Sequence, residues 1–135
     1  MVEGEKSREE KNRLPRMVLC VCTGKCPGFA KMDIWDFINI CRNELPVEFA
    51  FVHPQLCTED GDRFFADFLR KGERYLVAGC APAMQYKLFR DAFRNAGLDE
   101  KEALIPIDVR EMTTEQAVKV VKETLEKNGY NIDTK

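Results

Sequence analysis

Four times between Met17 and Gly129, a short apolar run is followed by a longer segment whose apolar residues recur at helical spacing. No other feature restricts the fold of this chain as strongly. "MVLCVC" (17–22) reads as a buried strand, and "DIWDFINICRNE" (33–44) opens a helix that sets Ile34, Phe37, Ile38, Cys41 and Leu45 on one stripe. "VEFAFVH" (47–53) is a second strand. "TEDGDRFFADFLRKG" (58–72) reads as a helix with acidic residues early, Phe64, Phe65, Phe68 and Leu69 inside, and Gly72 as its stop. "RYLVAGC" (74–80) is a third strand. "PAMQYKLFRDAFRNAG" (82–97) begins with Pro82 at a favoured first-turn position, ends on Gly97, and carries Met84, Leu88, Phe89, Ala92, Phe93 and Ala96 on a broad apolar face. "ALIPIDV" (103–109) is a fourth strand, its Pro106 marking an edge, and "TTEQAVKVVKETLEKNG" (113–129) is the last helix.

Strands alternating with helices imply a parallel sheet covered by helices on both faces. Right-handed crossovers leave few topologies. The expectation is a flavodoxin-like, Rossmann-like α/β fold: three layers, αβα, around a four-stranded parallel sheet of order 2-1-3-4. Ligands of such sheets gather at the carboxyl ends of the strands, where strands 1 and 3 diverge. Residues 1–15 are charged and unpatterned and read as a mobile tail, with a single α/β domain over residues 16–135.

The 135 residues suffice for one domain with a core that needs no disulfide staples. Twenty-one basic residues against 23 acidic ones give a net charge of −2, which argues against a nucleic-acid partner. No apolar run approaches the ~20 residues of a membrane span. "MVEGEKSREEKNRLPR" lacks the apolar core of a secretory signal, so a cytoplasmic location is expected. In that compartment six cysteines point to metal or redox chemistry before disulfides.

On the expected frame, Cys20 and Cys22 fall at the end of strand 1, Cys57 just past strand 2, and Cys80 at the end of strand 3. Strands 2, 1 and 3 are neighbours in that order, so four thiols remote in sequence converge on one rim of the sheet. Two cysteines two positions apart on a strand face the same way, about 6–7 Å apart. That suits a multi-iron cluster better than one zinc, whose ligands come more often in tight C-x2-C pairs.

"VLCVC", a lone cysteine after strand 2, "YLVAGCAPAMQYKLFRDAFRNAGL" and "IPIDVREM" together make residues 17–127 resemble the amino-terminal iron–sulfur domain of HdrA, a component of heterodisulfide reductase. More distantly, the chain is similar to the delta subunit of methyl-viologen-reducing hydrogenase. The resemblance implies a [4Fe–4S] cluster on Cys20, Cys22, Cys57 and Cys80, with [2Fe–2S] as the variant suggested by the more distant family. It implies electron transfer to a redox partner protein of the heterodisulfide-reductase type, by a subunit rather than an enzyme in its own right. Cys26 is extra to the family pattern and is a possible additional ligand. No G-x-G-x-x-G fingerprint occurs, so the resemblance is not extended to flavin or heterodisulfide chemistry.

Around such a site, backbone N–H groups of "CTGKCPG", the start of the helix at Ala81-Pro82, Lys25 and Arg110 are candidate stabilisers of negative charge, and Gly79 permits close approach. The alternative readings are a zinc or dithiol module built on Cys20, Cys22 and Cys26, and a plain interaction domain. Cys41 reads as core, His53 as structural, and Trp35 and the nine phenylalanines as core.

Overall fold

Successive residues of a strand face opposite sides of a sheet, and the first strand sorts its side chains accordingly. In the computed structural model, which describes residues 13–131, Met17 and Leu19 enter one apolar cluster and Val18 the other, all fully buried. Burial on both faces belongs to a parallel sheet. The strands are β1 (Arg16–Cys20), β2 (Ala50–His53), β3 (Tyr75–Gly79) and β4 (Leu104–Asp108), all parallel and in the order β2-β1-β3-β4. Among the described residues five α-helices surround them: α1 (Ile34–Glu44), α2 (Glu59–Phe68), α3 (Pro82–Asn95), α4 (Glu100–Ala103) and α5 (Thr114–Lys127). Phe37, Ile38 and Cys41 of α1 pack with Ala117, Val121 and Leu125 of α5 over the Met17 face. Phe65 of α2 and Phe89 and Phe93 of α3 cover the Val18 face. This is the expected three-layer α/β fold in the expected strand order.

Local chemistry starts most of the helices. Asp33, Thr58, Asp99 and Thr113 each accept a backbone N–H from the first turn that follows, and Thr113 with Gln116 forms a reciprocal capping box. α3 starts on Pro82 and has no side-chain cap. β4 pairs only with β3, so Pro106 does sit on an edge strand.

Several boundaries and burials differ from the sequence reading. β1 stops at Cys20, β2 begins at Ala50, β3 stops at Gly79, and α2 ends at Phe68 rather than near Gly72. The short helix α4 was not anticipated. Trp35 is 68% exposed, against the expectation of a core residue, because it lies on the outer side of α1. Met84 and Leu88 are likewise exposed, while Phe89 and Phe93 of the expected face are buried, with Gln85 in line with them. Residues 1–12 of the expected tail lie outside the described residues. Its last three residues are packed: Arg13 pairs with the buried Glu73, Leu14 is buried, and the Pro15 carbonyl accepts the Glu48 N–H. No described helix is long and apolar enough to cross a membrane.

Candidate functional site

Where a parallel sheet ends, its loops diverge and leave a crevice. At the carboxyl ends of β1 and β3 that crevice is lined by Cys20, Cys22, Cys26, Cys57 and Cys80, with Gly79, Gln85 and Arg110, and has a cavity volume of about 90 Å³. The four cysteines singled out in the sequence therefore meet in one pocket, and Cys26 joins them. All five carry unlinked thiols. Cys41 is buried in the α1–α5 core, as expected.

Each thiol arrives by a different device. Cys20 ends β1, beside His53 of β2. Gly79 lies on its other side, where a Cβ atom would sit 3.4 Å from the Cys20 side chain. The Leu56 N–H donates to Cys20 Sγ at 3.3 Å, which ties the β2–α2 loop to β1. Leu56 is itself fully buried, so this donor is fixed by packing.

The rest of that loop is held from both ends. The His53 Nδ1 accepts the Gln55 N–H at 3.0 Å, while His53 Nε2 lies 3.2 Å from Asp60 Oδ2. The Thr58 hydroxyl donates to the Gln55 carbonyl at 2.9 Å and accepts the Gly61 N–H at 3.1 Å. Gly61 is obligatory here, because a Cβ would lie 1.9 Å from the Leu56 carbonyl oxygen. Cys57 projects from this braced segment, is exposed, and receives a long contact of 3.8 Å from the Gln55 amide. His53 is thus structural, as expected.

Cys22 does not continue the strand. Cys22, Thr23 and Gly24 have φ of 51°, 70° and 78°, a left-handed turn in which only the third residue is glycine. Such a conformation is costly for Thr, on the order of 1–3 kcal/mol, and it persists only when its surroundings impose it. Here the Val21 and Thr23 N–H groups bind the His53 and Pro54 carbonyls at 3.3 and 2.7 Å, and the Gly24 N–H returns to the Val21 carbonyl at 2.9 Å. The expected same-face pair on a strand is therefore replaced by a turn that swings Cys22 into the pocket mouth. Burial, then Cys26, Cys20 and Cys57, push the Cys22 thiol above its usual range.

Cys80 follows β3 directly. Burial and the Cys20 sulfur raise its pKa, while Arg110 opposes them. The Arg110 guanidinium forms a two-pronged pair with Asp108, at 3.1 and 2.9 Å. Gly28 lets the Cys26 loop approach: a Cβ there would be 3.0 Å from the Arg110 Cβ and 3.4 Å from Cys26 Sγ. Arg110 thus stands at the site as the sequence suggested, whereas Lys25 is not among the lining residues.

Gln85 was missed. It is fully buried, and its amide nitrogen reaches the carbonyls of Val77, Cys80 and Ile107 at 3.1, 2.8 and 3.3 Å, while its oxygen has no partner. The available signal was a polar residue in line with Phe89 and Phe93 on a buried stripe. Among the described residues, no group of three or more Cys, His, Asp or Glu side chains is disposed to hold a metal ion as it stands. Five thiols line one pocket without forming such a group. No protein-family model matches this chain, and no curated protein matches its sequence.

Proposed function

We propose that this chain is a cytoplasmic electron-transfer protein or subunit that carries an iron–sulfur cluster, of the [4Fe–4S] type, on Cys20, Cys22, Cys57 and Cys80. One observation carries the reading: thiols from three separate strand ends line a single pocket. A cluster offers several irons to several sulfurs, so its ligands stand further apart than those of a single ion. Thiols brought to one pocket from separate strand ends suit that demand, and the donor set is of the right softness. When bound, such a group stores and releases one electron at a time.

The chain's own residues would hold and tune that charge. The Leu56 N–H donates to the Cys20 sulfur, and the Arg110 side chain stands near Cys80 and Cys26. The uncapped first turn of α3 begins two residues after Cys80. Each favours the more negative state of the site and raises its potential. The resemblance to HdrA of heterodisulfide reductase supplies the partner class, an oxidoreductase that accepts or donates single electrons.

Protein purified without oxygen, or reconstituted with iron and sulfide, is expected to be brown, to contain iron and acid-labile sulfide, and to bleach with dithionite. Cys57→Ser and Cys80→Ser are each expected to lose the chromophore while keeping the fold by circular dichroism. A colourless protein that takes up zinc but no iron, or serine variants that bind iron as the parent does, overturns the proposal.

A further inference from the structure

The pocket holds one sulfur more than the proposed ligand set employs. We infer that Cys22 and Cys26 are an oxidisable dithiol pair that closes to a disulfide, and that closure withdraws Cys22 from the ligand set. The second clause rests on the iron–sulfur reading and the first does not.

The pair is marked out by geometry. Both thiols line the same pocket. The left-handed turn at residues 22–24 folds the segment back on itself, closed by the Gly24 N–H on the Val21 carbonyl. A second tight turn begins at Cys26, whose carbonyl accepts the Phe29 N–H at 3.1 Å. Gly28 keeps the backbone close to Cys26 Sγ. Among the sulfurs acting on Cys22, Cys26 exerts the largest influence, ahead of Cys20 and Cys57. Cys20 has a different partner in the Leu56 N–H, and Cys57 in the Gln55 amide. Cys22 is exposed, so a small oxidant reaches it without unfolding. Only three residues separate the two cysteines. A bridge across so short a loop constrains the unfolded chain little, so its significance is chemical and not that of a structural staple.

The oxidant is a peroxide. One thiolate attacks a peroxide oxygen, the O–O bond breaks, and a sulfenic acid and one water result. The second sulfur then attacks the sulfenic sulfur, an S–S bond forms, and the S–O bond breaks to release a second water. Two electrons pass from the sulfurs to the peroxide, and both thiol hydrogens end in water. A dithiol reductant reverses the change by thiol–disulfide exchange.

The test uses the full chain, metal-free and fully reduced, treated with one equivalent of hydrogen peroxide. Thiols titrated in denaturant are expected to fall from six to four. Peptide mapping after alkylation is expected to join Cys22 to Cys26, and dithiothreitol to restore all six. In Cys26→Ser the joined peptide is expected to vanish. Mapping that joins any other pair, or six thiols remaining, overturns the inference. In a second arm, the closed form is offered iron and sulfide without a thiol reductant. It is expected to stay colourless until dithiothreitol is added; equal loading of the closed and open forms overturns the ligand-withdrawal clause. If the pair closes but the open form never binds iron, the iron–sulfur reading fails and the dithiol pair stands. If iron loads and the pair never closes, the reverse holds.

Discussion

Tyr75 sets the end of a helix that its own segment of sequence does not describe. Its side chain is fully buried between the Phe68 and Phe93 rings. Its hydroxyl accepts the Arg70 N–H at 2.7 Å and donates to the Phe68 carbonyl at 3.2 Å. Burial, the largest influence, raises its pKa above the usual 10.0. A phenol whose folded-state pKa is raised holds its proton more tightly in the folded chain. Its contribution is complete below pH 10 and is lost as the pH climbs through the folded-state value. Denaturation midpoints are therefore expected to drop above pH 10. Tyr75→Phe is expected to flatten that drop while costing about 1–2 kcal/mol at neutral pH, for the Arg70 N–H left without its partner. Urea titrations of both proteins from pH 7 upwards check both expectations; an equal alkaline drop in the variant refutes the assignment. The same contacts explain why Gly72 did not end α2. Tyr75 takes up the chain's hydrogen bonds at Phe68 and Arg70, and Gly72, at φ +85°, serves the turn beyond. Gln85 was illegible for a similar reason: its partners are carbonyls of β3, β4 and Cys80, which no local pattern brings together.

At the scale of elements, strands and helices were readable while the loops that build the site were not. Apolar periodicity and the right-handed crossover were enough for the order β2-β1-β3-β4. They also bring the ends of β1, β2 and β3 together, which is why the meeting of Cys20, Cys57 and Cys80 followed from the pattern. Cys22 reaches the same pocket by a turn the pattern did not contain, and Cys26 was not placed there by the pattern. A left-handed turn at Cys22-Thr23 contradicts the preferences of both residues and is enforced by carbonyls of the β2–α2 loop. That loop in turn depends on α2, whose first turn presses against Leu56 with no room for a side chain at residue 61. Gly61→Ala should raise the helix propensity of α2 and still destabilise the protein, by about 2 kcal/mol or more, because backbone must move. The displaced Leu56 N–H should also leave the Cys20 sulfur without its donor, so alkylation of Cys20 in metal-free protein at fixed pH is expected to slow relative to the parent. Unchanged stability together with unchanged Cys20 reactivity would contradict this linkage between helix and thiol.

Across the whole molecule, charge is nearly balanced, at −2 overall, so the field at the thiol pocket is set by the few groups close to it. Arg110 stands beside both Cys80 and Cys26, yet it is already paired with Asp108. Together the two amount to a nearly neutral dipole whose positive end is associated with the sulfurs. Arg110→Gln removes that end and leaves an unbalanced carboxylate at the same rim. A side chain 42% exposed to solvent acts through a screened interaction. The expected effect is on the order of 1 kcal/mol. For a one-electron couple this is a fall in potential of about 40 mV. In metal-free protein the same change should raise the Cys80 pKa further, since Arg110 is the largest influence holding it down, and slow the alkylation of Cys80 at fixed pH. The double variant Arg110→Gln/Asp108→Asn removes both charges and should recover much of the single variant's shift. If the double variant is displaced as far as the single one, the guanidinium acts through packing against Gly28, and the electrostatic account of this rim is wrong.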